Sequence, residues 1–186
     1  QNETTTESIY IGNTGEMTLS YSLDDFGYNW FDSDNQGTEY EWIDISNEYQ
    51  ILTFPHNDER SNETVYLPFE FEFYDSLYSS FFVNANGWIG FGDDNTEWSN
   101  TGLPNQNAPL NSIMPFWDDL NPNNEANSNS MQGDVKYYVD ENYAIVWFDD
   151  IRHWVGSGQI DGTYDFQTIL FPDGKIKFNY REMTGD

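Results

Sequence analysis

Two short runs of one pattern hold the carboxylates that raise a chemical question. "PFWDD" ends in Asp118 and Asp119, and "VWFDD" ends in Asp149 and Asp150. In both, aromatic residues that belong in a core precede two acids. Such pairs can do general acid/base work, hold a cation, or accept backbone N–H groups where a chain leaves a sheet. Catalysis needs one privileged partner, and 33 Asp and Glu in one chain give no pair that privilege. His56 and His153 are far apart in sequence and the chain has no cysteine, which argues against zinc and against thiolate chemistry. Calcium prefers several hard oxygens, so Asp118 or Asp119, joined by Asn121, is a candidate set. If both runs finish at the same end of a sheet, the four carboxylates meet and favour a bound cation or raised pKa values.

A third acidic candidate is Asp32 and Asp34 in "DSDNQGTEYEWI". The oxygens fall at the first, third and fifth positions and Gly37 at the sixth, as in a helix–loop–helix calcium loop. The closing acid is missing, because Ile43 stands there, and no flanking helix is evident. A looser calcium loop using Asp32, Asp34 and Glu39 is the functional expectation, and a polar turn is the plain one. For sugar stacking, Trp98, Trp154 and Trp30 lie in polar contexts and are better candidates than Trp117 or Trp147. The plain alternative is that each tucks over a sheet end. Asn2 and Asn62 match the glycosylation acceptor pattern.

The elements that must position these residues are strands. Aromatic residues are 18% of the chain, and they pack well on pleated surfaces. "VYLPFEFEF" at 65–73 puts Phe69, Phe71 and Phe73 on one face and Glu70 and Glu72 on the other, with Pro68 marking an edge or bulge. "SSFFVNANGWIGFG" predicts a hairpin about Asn86–Gly87. Strands are further expected at Ile9–Ile11, Tyr40–Ile45, Ile51–Phe54, Ile113–Trp117, Val135–Val139, Tyr143–Phe148, Tyr164–Phe171 and Lys175–Tyr180. About ten short antiparallel strands with long polar loops predict an all-β protein, a jelly-roll-like β-sandwich. Residues 1–8 are expected to be a flexible segment and 9–186 one sandwich domain.

Charge narrows the partners. Against 33 acids stand 6 Lys and Arg, a formal net charge of -27. That surface repels nucleic acid and anionic membranes, and favours cations, basic partners or high salt. The few basic residues near the end, Arg152, Lys175, Lys177 and Arg181, are expected to relieve local acidic repulsion. No apolar run is long enough for a membrane-spanning helix. The chain starts at Gln1 without Met or an apolar leader, as would a mature secreted product or a trimmed piece.

"FFVNANGWIGFG", "IMPFWDDLNP", "YAIVWFDDI" and "YDFQTILFPDGKIKFNY" occur in that order. Together, over Val65 to Tyr180, they resemble the nidogen-like (NIDO) extracellular domain and its bacterial relatives. The resemblance implies a β-rich, secreted or cell-surface module without defined catalytic residues. The resulting expectation is a non-enzymatic module for adhesion or surface-protein assembly, stabilised by calcium. Its partner would be a cell-surface protein, a glycan or another copy of itself. A carbohydrate-binding module of a secreted hydrolase and a structural subunit of a filament or surface layer are the alternatives.

Overall fold

The computed structural model describes residues 27–34, 37–92, 96–126, 132–154 and 161–185. The strands expected at Ile9–Ile11 and the segment 1–8 lie outside the described residues. Nine strands are present among those described: β1 (Gln50–Ile51), β2 (Val65–Phe73), β3 (Ser76–Asn84), β4 (Trp88–Gly90), β5 (Ser112–Ile113), β6 (Asp134–Val139), β7 (Ala144–His153), β8 (Asp161–Leu170) and β9 (Ile176–Thr184). They form a five-stranded antiparallel sheet, β1-β6-β7-β8-β9, and a four-stranded one, β2-β3-β4-β5. The expected β-sandwich is what the chain builds.

One apolar cluster joins the two sheets. Phe71, Phe81, Val83 and Ile89 come from the four-stranded sheet, and Val135, Val146, Phe148 and Phe166 from the other. Phe148 and Phe166 stack at 4.6 Å between ring centroids, and Phe71 and Phe91 at 5.6 Å. These side chains come from alternate positions of their strands, which is why the Phe69–Phe71–Phe73 pattern was informative. Pro68 sits where the β2–β3 register shifts between Tyr66 and Phe71, and β2 is an edge strand of its sheet. Both placements suit a residue with no N–H to donate.

The five-stranded sheet is covered on its outer face as well. A second cluster gathers Ile145, Trp147 and Ile169 of the sheet with Ile45, Trp42 and Ile43 of the preceding segment. This double burial explains the unbroken apolar run of β7. Here the expectation fails: Tyr40–Ile45 alternates like a strand but belongs to no ladder. Its backbone is held by side chains. The buried Gln167 amide donates to the Ile43 carbonyl at 2.7 Å and accepts the Ile43 N–H at 3.3 Å. Asn179, also buried, donates to the Glu41 carbonyl at 2.7 Å.

Two other expected strands are shorter than their apolar runs. β5 stops at Ile113, just ahead of Pro115, which cannot donate to a ladder. β1 stops at Ile51, and the Thr53 N–H goes instead to the Glu63 carboxylate at 2.8 Å. The β7 strand is longer than expected. It runs through Asp149 and Asp150 to His153, with register shifts on either side of Ile151 and Asp150 at φ 54°. The second Asp pair therefore lies inside a bulged strand and not at its end.

The Gln167 clamp yields a test. Gln167→Leu leaves the Ile43 N–H and C=O on a covered face without partners, and should cost about 1–3 kcal/mol in denaturant unfolding. Cleavage by a protease within 40–46 should speed up in the same variant. Unchanged unfolding and unchanged cleavage would show that the segment is held by its apolar side chains alone.

Candidate functional site

Asp118 and Asp119 sit where three irregular segments meet the end of β7. Gly87 opens the junction: a Cβ there would lie 1.9 Å from the Phe116 carbonyl oxygen, and its φ is +81°. The predicted turn at Asn86–Gly87 is thus also a docking surface for the "PFWDD" run. Asn86 fixes that run further. Its backbone carbonyl accepts the Asp118 N–H at 3.3 Å and its side-chain oxygen accepts the Leu120 N–H at 3.1 Å. On the far side, Leu120 bridges to His153, with Asn121 N–H donating to the Arg152 carbonyl and Trp154 N–H to the Asp119 carbonyl, both at 2.7 Å. The run therefore continues the five-stranded sheet past the end of β6.

The two acids have unlike surroundings. Asp118 lies 3.4 Å from the His153 imidazole and accepts the Asp119 N–H at 2.9 Å. Asp119 is pushed up to about 6, first by burial and then by the negative charge of Asp58, with His153 pulling the other way. Its Oδ1 atom and the Oδ1 atom of Asn121 are buried and receive no hydrogen bond from a described residue. The buried Gln132 Oε1 is a third such oxygen, and the Gln132 backbone pairs with Arg152 next to Asn121. Buried acceptors left like this cost free energy unless water or a cation reaches them. Hard oxygens of this kind suit calcium.

The Asp149 and Asp150 pair does not join this group. Their carboxylates meet Asp165 instead, with ligand oxygens of the three all within 4.8 Å of one another. The chain answers that charge with its own cations. Lys136 contacts Asp149 directly, and Arg181 donates to Asp165 at 2.8 and 2.5 Å. Both cations also lie over aromatic faces, Lys136 at 4.6 Å from the Tyr49 and Trp147 rings and Arg181 at 4.2 Å from Trp42. Asp149 is still raised, since its burial outweighs the lowering by Lys136. A metal ion would have to displace an ammonium and a guanidinium here. Arg181 relieves acidic repulsion as expected, whereas sequence reading missed Lys136 and Asp165, which only the fold brings to this pair.

The other candidates are placed as follows. Asp32 accepts the Asp34 N–H at 3.0 Å, the geometry of a polar turn. Trp30, Trp98 and Trp154 are 79%, 50% and 43% exposed, whereas Trp147 is buried and Trp117 half-buried. Asn62 is exposed, but its amide nitrogen already donates to Glu125 at 2.8 Å and to Thr53 at 3.0 Å. A glycan would need that nitrogen. Asn2 lies outside the described residues. Arg152 reaches the Gly162 carbonyl at 2.7 Å and the Thr163 hydroxyl, and Lys175 pairs with Asp173 at 3.4 Å.

The fold is an all-β sandwich whose strand ends and loops bring acids and aromatics together. The chain belongs to the NIDO-related family, whose sequence profile matches residues 33–186. No curated protein and no solved structure matches it. Membership fits an extracellular module of the nidogen-like kind.

Asp119 sets a pH dependence. Its folded value, about 6, is above the ordinary 3.8. Its contribution to stability is whole below the ordinary value and is lost as pH rises through the folded one. Asp119→Asn should therefore raise the thermal midpoint at neutral pH in chelator by a few degrees. The difference between wild type and variant should grow from pH 3.8 to about 6. A flat difference across that window would mean the carboxyl is not strained.

Proposed function

We propose that this chain is a non-catalytic extracellular module that makes adhesive or assembly contacts, with calcium stabilising the Asp119 junction. The observation that carries the contact reading is the display of Trp30 and Phe31, which are 79% and 70% exposed. Two adjacent large aromatics open to water on a chain of net charge -27 offer an apolar contact surface to a partner. The buried, donor-less oxygens of Asp119 and Asn121 support the calcium part. A glycan partner is the second reading, and the exposure of Trp98 and Trp154 favours it because exposed aromatic faces can stack on sugar rings.

The contact reading is tested by binding of the intact chain to cell-surface extract and to an immobilised glycan panel. A Trp30→Ala, Phe31→Ala double variant should lose most of the bound signal on whichever surface captures wild type. Equal capture of both proteins would refute the role of these residues. A Trp98→Ala, Trp154→Ala variant that fails only on the glycan panel would establish the second reading.

Calcium is tested by unfolding at fixed ionic strength with calcium or chelator. At a free concentration about a hundredfold above the dissociation constant, a bound ion adds ~2.7 kcal/mol. The gain should shrink in Asp119→Asn and persist in Asp150→Asn. No gain, or a gain lost only in Asp150→Asn, would remove calcium from this junction.

A further inference from the structure

A cleft of about 220 Å³ lies between the turn at 44–48 and the β6–β7 hairpin, lined by Asp44, Ile45, Asn47, Glu48, Tyr138 and Tyr143. Drug-sized pockets run from about 300 to 1,000 Å³, so this one suits a single side chain or a small head group. Tyr138 and Tyr143 stand 6.1 Å apart between ring centroids, tilted by 50°. Both rings pack against the outer-face cluster to which the buried Ile45 of the cleft lining belongs, so that cluster fixes the floor. The walls are negative. Asp44 accepts the Ser46 N–H at 2.9 Å, and this bond holds its carboxyl below the usual range. Asp140, at the hairpin tip, accepts the Asn142 and Tyr143 N–H groups at 2.7 and 3.0 Å. Glu48 is exposed and its backbone is fixed by the Ile45 carbonyl at 3.0 Å. Burial and then the charges of Asp140 and Glu48 raise both tyrosine hydroxyls. Among the described residues no basic side chain lines the cleft, though the Arg181 charge reaches Asp44.

We infer that this cleft receives the ammonium of a lysine side chain from a basic partner protein. Two aromatic rings beside carboxylates are what a lysine side chain requires: the rings take its methylene stem and attract the cation through their faces, and the acids answer its charge. The rest of the chain supplies the steering, since a net charge of -27 draws basic partners and repels acidic ones. The chain treats its own cations in the same way on the same sheet, where Lys136 lies 4.6 Å from both Tyr49 and Trp147 and contacts Asp149. The composition also recurs. A cleft of about 190 Å³ elsewhere is lined by Tyr28, Tyr74, Glu72 and Asp173, again tyrosines with carboxylates. The inference deepens the contact reading by naming a partner's chemistry, and depends on it only for the existence of that partner.

The test uses the whole chain and a blocked tripeptide with one central lysine. The readout is the ring resonances of Tyr138 and Tyr143 in an NMR titration. The peptide should shift both rings, saturably, while the same peptide with acetyl-lysine should not. Glu48→Gln and Tyr143→Leu should each weaken binding on the order of fivefold, and Tyr138→Trp should keep or tighten it. Unmoved rings, equal shifts with the acetylated peptide or a neutral monosaccharide, or displacement by calcium at equal concentration would each overturn the assignment. Capture of wild type in the Trp30 experiment is read separately, so loss of one result leaves the other standing.

Discussion

A sheet face has no backbone donors or acceptors to offer to the chain that covers it. Every irregular segment packed there must find them in side chains, and this protein meets the need with buried amides. Gln167 holds both polar groups of Ile43, and Asn179 holds the Glu41 carbonyl. Asn86 does the same for Leu120, and Asn84 for Asn86. An amide carries a donor and an acceptor on one rigid plane, so it imitates a strand neighbour one residue long. The outer cluster around Trp147, the placement of the 44–48 turn and the position of Asp118 and Asp119 all follow from these few side chains.

Electrostatics is the second constraint. With so many acids, each Lys and Arg that is placed carefully can neutralise more than one of them. Arg181 faces Asp165 and Asp149 while lying over Trp42 and Trp147. The rings exclude water on one side of the guanidinium and sharpen its attraction for the carboxylates on the other. At Asp119 the pull of His153 does not offset burial and the charge of Asp58, and the carboxyl is left in a position that favours its proton.

Side-chain periodicity made the sandwich and its core legible, because it reports which residues are buried. It does not report what their backbone bonds to. Tyr40–Ile45 alternates because one side meets a sheet, yet its partners are Gln167 and Asn179, more than a hundred residues away in sequence. Asp149 and Asp150 looked like a strand end because two acids rarely sit inside one. A bulge with Asp150 in the left-handed region keeps the strand going, and a non-glycine residue there is not forecast by composition. The Asp118–Asp119 site was legible as a place where the chain leaves a core. Its neighbours His153, Asp58 and Asn86 come from three separate segments, and only the fold brings them together.

The β2 edge bears on how copies of this chain can be joined. Pro68 removes one donor from that rim, and the register shift beside it twists the strand out of line. Glu70 and Glu72 face water along the same rim. A second acidic copy approaching there would meet like charge and a broken row of backbone groups. Growth by adding strands is therefore directional in this fold: it is disfavoured along β2, which leaves β5 on the same sheet and β1 and β9 on the other as the remaining edges among the described strands.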